Sequence, residues 1–268
     1  MKLQLKIEQP EVVSVGCDPE LFLKERRLGE YQSCIGLFGG TKNQPRQLGN
    51  RYGFGVQEDN VALEFNIPPA NSYTEWLDSI EYALIKLEEE ANGYDYDLAI
   101  DPIAIFNPDE LQHPLAQVFG CDPDVNAWTG EINHRPIMKN PNMRSAGGHI
   151  HVGSKPLSTI DVIKAMDLFL GVPSILMDKD RQRRKLYGKA GACRLKPYGG
   201  EYRVLSNFWL QNENYRAWVY TQTQRACAWV RGGGVISEGL GHNIQSTINS
   251  SNEEMAQMII AENQLVVV

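Results

Sequence analysis

Pairs of polar residues separated by one residue recur in four segments that have the composition of β-strands. The pairs are Asp18 with Glu20, Glu64 with Asn66, His149 with His151, and Glu201 with Arg203. Successive side chains of a strand point to opposite faces of the sheet, so each pair places both polar groups on one face. Apolar neighbours such as Phe65, Ile150 and Tyr202 take the opposite face. The pattern predicts a sheet with one apolar face and one face that can bind metal ions and phosphate.

The composition of the 268-residue chain is that of a soluble globular protein, with 42% hydrophobic and 22% charged residues. We expect one domain that spans residues 1–268. The net charge of −7 argues against a nucleic-acid partner. No segment has the length and apolarity of a transmembrane helix, so we expect no membrane association. The five cysteines form no CxxC pair, which favours a reducing, cytoplasmic location.

The predicted elements do not alternate regularly between strands and helices. Strands are predicted over residues 12–24, 56–67, 96–106 and 144–153, and in the segment GEYRVLSN. Helices are predicted over residues 73–92, 108–119, 159–170 and 213–231, with a last helix from about residue 252. Ser72, with Glu75 three residues later, has the pattern of a capping box. This order favours an α+β fold with a largely antiparallel sheet. No GxGxxG opens a helix after a strand and GxxxxGK[ST] is absent, so neither a dinucleotide-binding fold nor a P-loop is predicted.

The histidine pair is flanked by Gly147-Gly148 and Gly153. Glycine lets a backbone approach a ligand closely, and two imidazoles on one face can bind a metal ion. The alternative is that one or both histidines are structural. For an isolated HxH motif that alternative is the more common case.

Carboxylates in three of the pairs provide oxygen ligands of the kind that Mg²⁺ prefers. These residues are Asp18, Glu20, Glu64 and Glu201. Pro19 is expected to twist the two acidic groups of the first pair apart, so Glu20 is a better candidate than Asp18. Glu58 and Asp59 are alternative sources of oxygen ligands, but the interpretation as solvated turn acids before a strand is favoured for each.

Arg203 has a guanidinium group, whose geometry suits bidentate contact with phosphate oxygens. The alternative for Glu201 and Arg203 is a simple cross-strand ion pair, which contributes little on a surface.

A basic run over residues 180–185 leads into a glycine- and lysine-rich connection before Glu201. Such a run is more often a solvated helix face. Phosphate groups nevertheless need positive charge and close backbone approach. The candidates for nucleotide contacts are Lys185, Lys189, Arg194 and, just before the histidine segment, Arg144.

Four motifs in this order resemble those of the phage-type amidoligases (COOH–NH2 ligase type 2), within the glutamine synthetase and glutamate–cysteine ligase superfamily. The motifs are GCDPELFL, EDNVALEFNIPP, RSAGGHIHVG and YGGEYRVLSNFW, and they extend over roughly residues 14–210. The resemblance implies a glutamine synthetase-like catalytic domain, in which a curved, largely antiparallel half-barrel sheet is packed with helices.

The same resemblance implies ATP and Mg²⁺ or Mn²⁺ bound against the polar face. Glu20, Glu64 and Glu201 would surround the metal with one of the two histidines, and Arg203 would contact the phosphates. Asp18 resembles an early carboxylate ligand of the family, so the implied metal set is Asp18, Glu20, Glu64, His149 and Glu201. The implied catalytic residues are Glu201, Arg203, His149 and His151.

The expected function is an ATP-dependent carboxylate–amine ligase that acts through an acyl phosphate on small-molecule or peptide substrates. If the chain is phage-encoded, its location is the host cytoplasm, and relatives of this type often form homo-oligomers. Three alternatives remain open at the level of the sequence. They are a guanidino-kinase-like phosphotransferase on the same fold, a zinc hydrolase that uses the histidine pair with a carboxylate, and a non-catalytic binding protein.

Overall fold

The computed structural model describes residues 12–117, 124–134 and 139–268. The first strands are β1 Ser14–Cys17, β2 Glu20–Glu25, β3 Tyr31–Gln32, β4 Arg46–Gln47, β5 Gly55–Asp59, β6 Ala62–Asn66 and β7 Tyr96–Ala99. The later strands are β8 Ile103–Ile105, β9 Val125–Asn126, β10 Met143–Ser145, β11 Ile150–Gly153, β12 Ala192–Lys196 and β13 Gly199–Tyr202. The α-helices are α1 Tyr73–Asn92, α2 Thr159–Met166, α3 Ser174–Met177, α4 Gln182–Leu186, α5 Glu213–Arg231, α6 Glu238–Ser250 and α7 Glu253–Glu262. A π-helical turn covers Asp167–Gly171, and 3-10 helices cover Pro108–Leu111, Pro114–Gln117 and Asn207–Gln211.

The strands form antiparallel sheets. One sheet has the order β1-β11-β13-β12-β9, and another has the order β3-β2-β6-β5-β4 with β7 paired to β2. A short β8–β10 ribbon stands apart from both. The described structure is therefore a mixed fold of helices and antiparallel sheets, which confirms that part of the predicted fold class. Its glutamine synthetase-like identity and the single-domain organisation stay predictions.

The two larger sheets meet where the chain passes from β1 to β2. The backbone N–H of Asp18 donates to the carbonyl of His149 at 3.4 Å, and that of Glu20 donates to Gly147 at 2.9 Å. On the other side of the chain, the N–H of Phe65 donates to the carbonyl of Pro19 at 3.3 Å. The backbone N–H groups on both sides of Pro19 are thus hydrogen-bonded, and the proline itself has no N–H that requires a partner. This join carries one polar face across both sheets.

Helix α1 forms where the sequence predicts it. The side chain of Ser72 accepts the N–H of Glu75 at 3.2 Å, and the Glu75 carboxylate accepts the N–H of Asn71 at 2.7 Å. On the buried face, the Trp76 ring stacks on that of Trp209 with centroids 5.6 Å apart. These contacts place α1 and the 3-10 helix Asn207–Gln211 against the same core.

Several predicted elements are interrupted in the structure. The strand predicted over 96–106 is two strands, β7 and β8, with Pro102 between them. The strand predicted over 144–153 is likewise divided into β10 and β11, which pair in different sheets, with Gly147-Gly148 between them. The helix predicted over 108–119 is a pair of 3-10 helices as far as residue 117, and its last two residues lie outside the described ranges.

Helix α6 is absent from the sequence-based prediction. Its sequence, EGLGHNIQSTINS, contains two glycines and several Ser and Asn residues, which indicate a loop. Ile244 and Ile248 are nevertheless buried four residues apart on one helical face. Tertiary packing therefore outweighs the weak local propensity.

No helix in the described ranges is both long enough and apolar enough to cross a membrane.

Candidate functional site

A cavity of about 550 Å³ opens on the polar face where the two larger sheets join. All four polar pairs identified in the sequence line it, namely Asp18, Glu20, Glu64, Asn66, His149, His151, Glu201 and Arg203. The prediction that these side chains share one face is therefore confirmed. The strand is interrupted at Pro19, and Asp18 and Glu20 belong to two different groups of possible metal ligands, but both carboxylates line the cavity, so the geometry does not favour Glu20 over Asp18.

Glu20, Asp59 and Glu64 form one group of carboxylates, which we call the acidic triad. One oxygen from each lies within 4.8 Å of the others, a spacing that suits a shared cation. Glu20 and Glu64 are direct partners across β2 and β6. Burial and the charges of Asp18, Glu20 and Asp59 raise the pKa of Glu64 well above its usual value. Burial and the nearby Glu20 also raise the pKa of Asp59.

Asp18, His151 and Glu201 form a second group, the mixed triad, whose ligand atoms also lie within 4.8 Å of one another. His151 on β11 is the direct partner of Glu201 on β13. Its Nε2 lies 3.0 Å from Oδ2 of Asp18. Burial lowers the pKa of His151, but the charge and hydrogen bond of Asp18 outweigh it and raise the pKa overall. Burial raises the pKa of the Asp18 carboxyl, but the charges and hydrogen bonds of His151 and His149 outweigh this effect and lower the pKa overall.

Glu201 is fully buried and is surrounded by cationic side chains. It contacts Arg203 directly, with Lys196 Nζ at 3.0 Å and Arg194 Nη1 at 3.4 Å. Burial and the charge of Asp18 raise the pKa of Glu201, yet Arg203, His149 and Arg194 outweigh them and lower the pKa to about 2. The carboxylate is therefore ionised at neutral pH. Glu201 thus gathers Arg194, Lys196 and Arg203 into one positively charged part of the cavity, which we call the cationic end, whereas the acidic triad contains carboxylates alone.

His149 is buried beside the mixed triad. Its Nδ1 lies 3.5 Å from Oδ1 of Asp18 and 3.3 Å from Nη1 of Arg203. Of the two histidines, the geometry includes His151 in a group with metal-ligand spacing. Among the residues that the structure describes, neither such group contains both histidines.

The predicted nucleotide contacts separate into two sets. Arg194 lines the cavity, whereas Lys185, Lys189 and Arg144 do not. Lys185 and Lys189 are exposed elsewhere on the surface. Arg144 is buried and donates to the carbonyls of Pro141, Met143 and Ala116. For these three residues the geometry gives the predicted role no support.

The basic run over residues 180–185 is not a solvated helix face. Arg183 and Arg184 are buried, with 3% and 2% of their surface exposed. Arg183 donates to the carbonyl of Val204 at 3.0 Å, immediately after Arg203 in the chain. Arg184 lies 3.6 Å from the Asp178 carboxylate. This buried network supports the backbone that carries Arg203 into the cavity.

The cavity is also lined by Asp59 and by residues that are not candidates from the sequence, among them Lys42, Lys196 and Tyr198. Lys196 is separated from Arg194 by one residue on β12, so the alternation that identifies the other pairs also marks this one. Asp59 belongs to β5 and lines the cavity, so the interpretation of it as a solvated turn acid is wrong. Lys42 lies in a loop, where no periodicity indicates its direction.

A family model described as "Phage phiEco32-like COOH.NH2 ligase-type 2" matches residues 137–223 of the chain. The matched segment includes His149, His151, Glu201 and Arg203, while the acidic triad lies outside it. A comparison with curated proteins found no match. The family's name denotes a carboxylate–amine ligase. Over residues 137–223, the match supports the amidoligase family that the sequence motifs predict.

Proposed function

We propose that this protein is an ATP-dependent carboxylate–amine ligase that uses Mg²⁺ or Mn²⁺. The observation that carries the proposal is the division of one cavity into two carboxylate-containing triads and a cationic end. Each part suits one requirement of phosphoryl transfer, which depends mainly on positioning and on neutralising charge. The family match over the histidine and Glu201 segments supports the same reaction class.

The donor atoms of the two triads fit hard divalent cations. The acidic triad offers carboxylate oxygens alone, and the mixed triad offers two carboxylates with one imidazole. Carboxylates are the ligands that Mg²⁺ and Mn²⁺ prefer. When bound, such cations would neutralise the charge of phosphate oxygens. Burial raises the pKa of Glu64, and repulsion from Asp18, Glu20 and Asp59 raises it further, so a cation bound at the acidic triad would favour the ionised carboxylate.

The cationic end of the cavity suits the phosphates of ATP. Arg203 and Arg194 present guanidinium groups, and Lys196 adds a third charge. The buried Glu201 carboxylate contacts all three of these side chains and so holds them at the cavity surface. Arginine at such a position binds phosphate oxygens in a bidentate manner.

The proposed reaction has two steps. A carboxylate oxygen of the first substrate attacks the terminal phosphorus of ATP, the bond to the bridging oxygen breaks, and ADP leaves with the formation of an acyl phosphate. The amine of the second substrate then attacks the acyl carbon, the carbon–oxygen bond breaks, and inorganic phosphate leaves while the amine nitrogen loses a proton. Arg194, Lys196 and Arg203 hold the negative charge of the transferred group in both steps.

The test is an assay in which hydroxylamine replaces the unknown amine. The purified protein, ATP and Mg²⁺ are incubated with each member of a panel of amino acids and dicarboxylic acids, and hydroxamate and ADP are measured. We expect both products in equal amounts with at least one carboxylate. A stable phosphorylated product without hydroxamate would instead indicate a phosphotransferase, and ATP binding without any product across the panel would indicate a binding protein.

The variant Glu201→Gln tests the assigned site. It leaves three cations around an uncharged amide, so we expect hydroxamate formation to fall by about 100-fold or more. Glu64→Gln is a second variant. Because the pKa of Glu64 is raised, its replacement by an uncharged amide should disturb the metal-free fold less than the replacement of Glu201 does. Glu254→Gln, on the exposed face of α7, is the matched control. Wild-type turnover by folded Glu201→Gln and Glu64→Gln proteins would refute the site.

A further inference from the structure

Tyr198 contacts a residue of the mixed triad from outside the triad. It lies in the turn between β12 and β13 and lines the cavity. Its hydroxyl oxygen is 2.6 Å from Nδ1 of His151. The other ring nitrogen of His151, Nε2, is 3.0 Å from Oδ2 of Asp18. The imidazole is therefore held at both of its nitrogen atoms.

Contact at both nitrogens determines which edge of the ring faces the triad. A half-turn of an imidazole about χ2 exchanges each nitrogen for a carbon, and the χ2 preference of histidine is broad and roughly two-fold. In the reversed ring of His151, neither Tyr198 nor Asp18 would face a nitrogen. The hydroxyl of Tyr198 thus disfavours the orientation in which Nε2 points away from Asp18.

The turn that carries Tyr198 is packed closely against the strand that carries His151. A Cβ atom at Gly199, whose φ is +152°, would overlap the carbonyl oxygen of Val152 on β11. The backbone N–H of Lys155 donates to the carbonyl of Tyr198 at 3.4 Å. These contacts fix the position of the tyrosine relative to β11, although 44% of Tyr198 is exposed.

A tyrosine hydroxyl suits this position because it both donates and accepts hydrogen bonds. When Nε2 of His151 binds a cation, Nδ1 carries the proton and the Tyr198 oxygen accepts it. When Nε2 instead donates to Asp18 and Nδ1 is unprotonated, the hydroxyl donates to Nδ1. The same ring orientation is therefore supported in both states.

We propose that Tyr198 is a positioning residue that orients His151 so that Nε2 faces Asp18 and Glu201, where it can bind a divalent cation. The cation-binding consequence rests on the proposed function, whereas the orientation of the ring does not. In metal sites, the partner of the second ring nitrogen fixes the ring orientation, and its loss weakens metal binding by about 10- to 100-fold.

The first measurement uses the metal-free protein and compares wild type with Tyr198→Phe. At about pH 6, an imidazole is largely protonated and Nδ1–H of His151 donates to Tyr198. We expect the Nδ1–H proton of His151 to be visible by NMR in wild type, because the hydrogen bond slows its exchange with water. In Tyr198→Phe the signal should be lost. An equally strong signal in both proteins would overturn the proposal.

The second measurement is a calorimetric titration with Mn²⁺ alone. We expect Tyr198→Phe to weaken binding at one site by about tenfold or more and to leave the other site unchanged. Tyr52→Phe, which removes a hydroxyl from a side chain that is 95% exposed, is the matched control. Equal affinity of wild type and Tyr198→Phe at every site would contradict the proposed role. If wild type binds no Mn²⁺, the proposed function fails, while the NMR comparison still decides the role of Tyr198.

Discussion

Two adjacent acidic residues, Glu58 and Asp59, have different roles because side chains alternate between the two faces of a strand. Glu58 accepts the backbone N–H groups of Gly36, Phe38 and Gly39 at 2.7–2.9 Å and so stabilises a loop. Asp59 is the next residue on β5 and belongs to the acidic triad. Adjacent strand residues point to opposite faces, so the two carboxylates serve different parts of the molecule.

The substitution Asp59→Asn should change stability and cation binding in opposite directions. Removing one of three close negative charges relieves repulsion, so the free energy of unfolding of the metal-free protein should rise by about 0.5–2 kcal/mol. Affinity for Mg²⁺ should fall, because the triad loses an anionic ligand. Urea denaturation with and without Mg²⁺ measures both effects. Asp78→Asn, at an exposed position of α1, is the control. Unchanged Mg²⁺ affinity in Asp59→Asn would contradict the role of the triad.

The part of the site that could be predicted from the sequence lies on strands or directly next to them. Alternation alone indicates that His149, His151, Glu201 and Arg203 share a face, and the structure agrees. Strand alternation gives no information about Lys185, which lies on the short helix α4, or about Lys189, which lies outside regular structure, and both are exposed outside the cavity. A residue outside regular structure takes its direction from tertiary contacts, which local sequence does not specify.

At the level of elements, the well-capped helices are the most predictable. The predicted bounds of α1 and α5 coincide with the observed ones, because each has an N-cap side chain and a terminal glycine. The sequence predicts continuous strands over 96–106 and 144–153, which the structure interrupts at Pro102 and at Gly147-Gly148. Periodicity does not detect a bend that leaves the alternation of side chains intact on both sides.

Gly148 provides a test of why the chain is interrupted between β10 and β11. A Cβ atom there would overlap the carbonyl oxygen of Ser206 and Nε1 of Trp209, and the backbone atom cannot move aside. We expect Gly148→Ala to lower the free energy of unfolding by about 1–3 kcal/mol. Gly239→Ala in α6 is the matched control. Its Cβ would meet no atom within 4 Å, so stability should rise by up to about 1 kcal/mol. Equal stability of the two variants in urea would refute the claim that the packing around Gly148 requires a glycine.

At the level of the whole molecule, the buried carboxyl of Asp167 links the π-helical turn to β13 and to the segment that follows β9. It accepts hydrogen bonds from Nε1 of Trp128 at 2.6 Å and from the hydroxyl of Tyr202 at 2.8 Å. Tyr202 directly follows Glu201, so this core network supports the strand that carries the site. Burial raises the pKa of Asp167 to about 7, against the lowering effect of its hydrogen-bond donors.

The raised pKa of Asp167 predicts a pH-dependent stability of definite sign. Between about pH 4 and pH 7 the folded state keeps a proton that the unfolded state has lost, so stability falls as pH rises through this range. Each unit of difference in pKa corresponds to about 1.4 kcal/mol. Urea denaturation at a series of pH values should therefore show that wild type loses stability relative to Asp167→Asn up to about pH 7 and not above it. Parallel pH profiles for the two proteins would contradict the assignment.

The candidate site depends on the whole fold, because its ligands come from residues far apart in the chain. Asp18 and Glu201 meet in the mixed triad only because β1 and β13 flank β11. Cations that bind the folded state alone should therefore stabilise the entire domain by mass action.

The central claim is that both triads hold divalent cations beside bound phosphates. Its most direct test is anomalous diffraction at the manganese edge, from crystals grown with Mn²⁺ and a non-hydrolysable ATP analogue. We predict manganese peaks between Asp18, His151 and Glu201 and between Glu20, Asp59 and Glu64, with the analogue's phosphates against Arg203. A bound analogue whose manganese and phosphates lie away from both triads would contradict the account.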